Sequence, residues 1–214
     1  MATIVGIISR PLPIGAVALI GITASVVTGT LTIGQALSGF GNRVIWLIVL
    51  AFLIARAFIK SGLSRRIAYR FVAALGSKTL GLGYGLVATD LFLAPAIPSN
   101  TARAGGVVYP ILLSLSKAYG SEPGSTAKRM GAYLTLTAFH GTLVTSAMFL
   151  TAMAANPLAA ELAGDLGVDI SWTTWALAAS VPGIVCLALI PLVLYKLVPP
   201  EVTETAEAPA LAHR

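Results

Sequence analysis

Residues Pro95-Ala-Ile-Pro-Ser-Asn-Thr-Ala-Arg-Ala-Gly-Gly106 form a polar stretch, rich in Pro and Gly, inside otherwise apolar sequence. Apolar runs flank it, Leu80 to Leu93 before and Val107 to Leu115 after. Each run is too short to cross a bilayer as a helix, which takes about 20 apolar residues. Together they predict two half-length helices that enter a membrane from one side and meet at a broken tip. Backbone groups left free at that depth are tolerated only where they are buried in protein or line a cavity. An interrupted apolar pair of this kind is the best sequence pointer to a binding site in a membrane transporter.

The rest of the chain supports a membrane setting. Of 214 residues, 57% are hydrophobic and 10% charged, against about 25% charged in a soluble domain. The formal charge of +6 does not point to nucleic acid, because the bases sit beside apolar segments and aromatics are few, at 7%. The lone Cys186 excludes a disulfide framework and is expected in packing; the His and acidic residues have no metal-ligand spacing. Met1 to Ile8 is apolar but lacks the basic start and small-residue cleavage site of a secretory signal.

Hydrophobic spacing and charge then set an order. Spans are expected at about 12–30, 44–60, 130–155 and 176–198, with a Gly-rich loop over Thr30 to Gly41. Arg56 lies one turn from the end of its span, where snorkelling is cheap. Lys60, Arg65, Arg66, Arg70 and Lys78 cluster without an acid, which places them in the cytoplasm. Leu63, Ile67, Phe71 and Leu75 recur every four residues. They predict an interfacial helix over about 63–75, the alternative being an extension of the preceding span. The hairpin takes about 79–116. Lys117, Lys128 and Arg129 follow it, again on the cytoplasmic side, so both of its ends face one way. Thr135, His140, Thr142, Thr145 and Ser146 mark the next span, which ends in a second break, Thr151-Ala-Met-Ala-Ala-Asn-Pro157. The acidic Glu161, Asp165 and Asp169 read as an outside loop. Trp172 and Trp175 read as interface anchors. Residues 199–214 read as a disordered polar tail or linker.

At the tip, Ser99, Asn100 and Thr101 offer hydroxyl and amide groups at the start of a helix. A helix start attracts anions through its dipole and free N–H groups; carbonyls ending the first arm suit a small cation instead. Ser99 or Asn100 is equally an ordinary N-cap. Arg103 carries a fork suited to a carboxylate, or it pairs with Asp90, the one acid between Lys60 and Lys117. His140 reads as a hydrogen-bonded packing residue or a proton carrier. Paired carboxylates, metal clusters and nucleophile–base sets are missing from the sequence, so enzyme chemistry is not indicated.

Leu63-Ser-Arg-Arg-Ile-Ala-Tyr-Arg70, Ala94 to Gly106, Tyr109-Pro110 and Phe149 to Pro157 resemble the divalent anion/sodium symporter family. The nearest branch is that of bacterial citrate/succinate antiporters and plastid 2-oxoglutarate/malate translocators. The resemblance implies an all-α integral membrane protein with transmembrane helices and one re-entrant hairpin, half of an inverted-repeat transporter. It implies homodimers, a mobile transport part, and a di- or tricarboxylate cargo such as malate, succinate, 2-oxoglutarate or citrate. By the family pattern, two spans would precede Met1 and the entire second repeat would follow Arg214, so the chain is expected to be a truncated first repeat. Ser99, Asn100 and Thr101 match the family's Ser-Asn-Thr tip, implied to hold a substrate carboxylate. Thr151 and Asn156 match the opposing break, and Arg103 is placed to balance charge in exchanger-like members. No cofactor is implied beyond a sodium ion in sodium-coupled members, on Ser99, Asn100 and Ala152. Exchange is the leading expectation. The alternatives are sodium-coupled symport and a non-transporting membrane scaffold module.

Overall fold

A computed structural model describes residues 2–211. The last three residues of the expected tail lie outside the described residues. The architecture is that of an all-α membrane protein, with no β-strand among the described residues. It comprises two compact units, Met1–Leu47 and Ile48–Arg214.

In the first unit, α1 (Ala2–Ser9) packs on α2 (Ile14–Val27), and α3 (Ile33–Leu37) follows. A helix and a 3-10 turn (Ser38–Gly41) therefore replace most of the loop expected over Thr30 to Gly41. The reason is local. The Thr32 hydroxyl accepts from the Gln35 amide while the Gln35 side chain accepts from Thr32 N–H, a capping box that starts a helix despite the glycines.

The second unit holds most of α4 (Arg43–Lys60), then α5 (Leu63–Leu75) and α6 (Thr79–Leu93). A short α7 (Asn100–Arg103), a π-helical turn (Ala104–Val108) and α8 (Tyr109–Ala118) run on as one arm. After them come α9 (Gly131–Met148), α10 (Ala155–Asp165), α11 (Trp172–Leu197) and α12 (Ala208–Leu211). Gly62, at φ 72°, ends α4 in a left-handed turn, so α5 is not its continuation. The packed stripe of α5 is Ser64, Ala68 and Val72, one position on from the expected Leu63/Ile67/Phe71/Leu75 face. Small residues win that face because α5 lies antiparallel and close along α6: a Cβ at Gly85 would meet Phe71 O at 3.2 Å. Leu63 and Leu75 stay exposed.

Both ends of the α6–α8 hairpin are on one side. Thr79 N–H donates to Thr203 O at 3.0 Å and its hydroxyl to Val202 O at 2.5 Å. The same stretch donates from Glu201 N to Lys128 O at 3.1 Å and from Val202 N to Arg129 O at 2.9 Å, in the loop beyond the second arm. A single crossing helix would hold these groups apart by about 30 Å. Thr205 adds bonds to Ser77 O at 2.9 Å and Gly76 O at 2.7 Å. The expectation of disorder after Pro199 is thereby corrected for the described part. Its threonines and free backbone groups strap the hairpin's feet.

Among the described residues one helix, Trp172–Leu197, is long and apolar enough to cross a membrane, or two if the bent pair Ile33–Gly41 and Arg43–Lys60 counts as one span. Its exposed Leu177, Val181, Ile184, Val185 and Leu189 form a lipid-ready face. Cys186, expected in packing, is exposed on this helix. Helix α11 starts earlier than residue 176 because Ser171 Oγ accepts from Thr174 N–H, drawing both tryptophans into its first turn. Helix α9 (the core of the span expected at 130–155) leaves Phe139 and Leu143 exposed on one side. Its other side is packed, with Tyr133, Leu134, Thr137, Thr145 and Ser146 buried against its neighbours.

Candidate functional site

Two helix breaks meet here. The first runs from Ala94 to Ser99, where Pro95 and Pro98 interrupt the arm. The second runs from Phe149 to Ala154, between α9 and α10. Asn156 and Pro157 fall in the first turn of α10, where a missing N–H is harmless, so Pro157 opens a helix there instead of stopping one.

Arg103 joins the breaks. Its side chain has no exposed surface. Nε donates to Asp90 Oδ1 at 3.1 Å. One terminal nitrogen, Nη1, donates to both Ile97 O and Ala152 O, each at 2.6 Å. The other, Nη2, donates to Ser146 Oγ at 2.8 Å. The second Asp90 oxygen accepts from the Thr145 hydroxyl. A guanidinium buried in apolar surroundings needs a counter-charge and acceptors for its donors, and both are supplied. Of the two readings open for Arg103, pairing with Asp90 is the one realised in this geometry.

The other singled-out residues divide into two groups. Thr151 donates to Pro95 O at 2.9 Å and accepts from Trp172 Nε1 at 3.1 Å, so its hydroxyl bridges α11 and the first break. Asn156, buried, donates its amide hydrogens to Ser146 O at 2.8 Å and Phe149 O at 2.9 Å, closing the carbonyl end of α9. Ala152 is buried and its carbonyl is held by Arg103. These residues spend their polar groups on the protein.

Ser99, Asn100 and Thr101 are the more open group. Ser99 Oγ caps α7 by accepting from Ala102 N–H at 3.1 Å. Asn100 Oδ1 accepts from Thr101 N–H at 2.8 Å, and its amide nitrogen finds no acceptor among the described residues. Asn100 is half-buried and Thr101 exposed. The tip therefore presents an amide donor, a hydroxyl and the start of a helix, all suited to a carboxylate.

Sequence reasoning did not find Ser146 or Ile97 as partners of Arg103. Ser146 is one of several hydroxyl residues along its span, and neither it nor a backbone carbonyl carries a local mark of such a partnership. Trp172 and Trp175 are more than interface anchors, since Trp175 Nε1 also donates, to Ala147 O at 2.8 Å. His140 Nδ1 lies 2.8 Å from Leu136 O, the hydrogen-bonded packing arrangement. Of the threonines that mark α9, Thr142 and Thr145 are buried and Thr135 is exposed.

The sodium:sulfate symporter transmembrane region family model matches residues 1–214. A Bacillus subtilis (strain 168) relative, YflS, whose name proposes malate transport, is 59% identical over 214 residues, covering 99% of this chain and 45% of its own. Dicarboxylate transporter 1 of Spinacia oleracea chloroplasts is 55% identical over 214 residues, covering 99% of this chain and 38% of its own. Inner membrane protein YbhI of Escherichia coli (strain K12) is 48% identical over 209 residues, covering 94% of this chain and 44% of its own. The chain thus spans less than half the length of these curated relatives.

Proposed function

Because this chain belongs to the sodium:sulfate symporter transmembrane region family, we propose that it serves in secondary transport of a dicarboxylate, by exchange and without sodium. The relatives named for malate and dicarboxylates support the cargo class. The carboxylate rests on Asn100 and Thr101 at the capped start of α7, with Ser99 shaping the cap. Tricarboxylate cargo belongs to the same proposal, as does a homodimer in a bacterial inner membrane.

One observation carries the exchange reading: a single guanidinium takes the carbonyls of both breaks, Ile97 O and Ala152 O, together with the Asp90 carboxylate. Those oxygens are what a sodium ion would need. With Arg103 among them, the positive charge at the breaks is built into the chain and balanced by Asp90. Swapping one dianion for another moves no net charge, so a coupling ion has nothing to offset.

The test uses the intact protein in liposomes preloaded with malate. Uptake of labelled succinate that requires internal dicarboxylate and proceeds equally in sodium and choline buffers is the expected result. Uptake into empty vesicles that rises with external sodium would overturn exchange in favour of symport. No uptake in either buffer, from correctly inserted protein, would favour the scaffold reading.

A further inference from the structure

We propose that the pocket between α4 and the hairpin tip is a binding site for an anionic phospholipid. It has a volume of about 510 Å³ and is lined by Phe52, Leu53, Ala55, Arg56, Ile59, Lys60 and Ala102. Arg56 and Lys60, one turn apart on α4, are exposed and form no salt bridge among the described residues. The nearest bases along the chain, Arg65, Arg66 and Arg70 on α5, are exposed as well. Counter-charge from the protein is scarce. Asp90 is the first acid in the sequence and the only one before Glu122, and it is bonded to Arg103.

The lining decides which anion fits. A free dicarboxylate is polar at both ends and needs donors on more than one side. This pocket offers two cations, and every other lining residue is hydrocarbon. That is the complement of an amphiphile, with a phosphate against Arg56 and Lys60 and an acyl chain along Phe52, Leu53 and Ile59. Ala102 belongs to the first turn beyond Ser99, Asn100 and Thr101, so an occupant touches the arm that carries the tip. Lipid composition would then bear on the tip directly.

Native mass spectrometry of the detergent-solubilised protein with phosphatidylglycerol and phosphatidylcholine tests this. Two bases at the headgroup predict a preference for phosphatidylglycerol of about thirtyfold. Arg56→Gln/Lys60→Gln should abolish that preference. Leu53→Trp, which fills the pocket without changing charge, should lose the bound lipid too. Lys196→Gln, outside the pocket, should bind like the parent. Equal retention of both lipids, survival of the phosphatidylglycerol adduct in the double variant, or its displacement by millimolar succinate or inorganic phosphate would overturn the proposal. The last outcome would make the pocket a free-anion site.

Discussion

Arg103 Nη1 lies 2.6 Å from the carbonyl oxygen of Ala152, a residue 49 positions further along the chain. That bond, with its partner to Ile97 O, makes one side chain the fastener between two helix breaks. Each break leaves carbonyls that an apolar interior cannot solvate. The guanidinium collects them, and Asp90 balances its charge.

Asp90→Asn should leave a buried, unbalanced cation and cost about 3–5 kcal/mol. Arg103→Gln should be similarly damaging, whereas Asp90→Asn/Arg103→Gln should be milder than the two single losses added together. Thermal unfolding in detergent of the four proteins gives the coupling. Simple additivity would mean that the two groups do not act as a pair.

Asn100→Ala should separate uptake from stability. Its amide nitrogen has no acceptor among the described residues, so unfolding should shift little. A lost hydrogen bond to a charged cargo is worth about 1.5–3 kcal/mol, roughly a ten- to hundredfold loss in apparent affinity. Ser99→Ala removes the cap of α7 and should also cost about 1 kcal/mol of stability. Uptake kinetics and melting curves on the same preparations check both.

Thr151→Val keeps the shape of the side chain and removes the link from Trp172 to Pro95 O. The expected cost is about 1–3 kcal/mol, because a carbonyl at the break loses its donor. With Trp46 and Trp175 replaced by Phe, the emission of Trp172 should shift as its indole N–H loses an acceptor. An unchanged spectrum would mean that Trp172 does not depend on Thr151.

Thr205→Val should loosen the strap. Its hydroxyl donates to the buried Gly76 O at 2.7 Å, and valine cannot. Limited trypsin digestion should then cut faster at Lys78, Lys128 and Arg129, which the strap's neighbouring bonds hold in place. Equal digestion rates would show that the backbone bonds alone suffice.

Alkaline pH probes the same end of the molecule. Burial pushes the Tyr119 hydroxyl above its ordinary value, and the negative charge of Glu207 pushes the same way. Folding therefore favours the protonated phenol. That contribution is complete below the unfolded value of about 10 and is lost as pH rises through the folded one. Tyr119→Phe should flatten this alkaline fall in melting temperature. An identical profile would exclude Tyr119 as its cause.

The sequence by itself determined that this chain is helical, membrane-embedded and broken near residue 100. Those properties follow from local chemistry. Apolar runs of fixed length, Pro and Gly at the interruption, and bases without acids need no knowledge of distant residues. The family was legible for the same reason, since its signature is a set of short segments, each of contiguous residues. The tertiary structure decided the partners. Ser146 and Ala152 meet Arg103 only because α9 packs against the hairpin, and no local pattern encodes a contact 49 residues away; Asp90, which the sequence did offer as a partner, lies on the hairpin's own first arm. It also decided that the stretch around Thr205, polar enough to pass for disorder, closes the hairpin's feet, since backbone groups find partners in three dimensions whatever their side chains suggest.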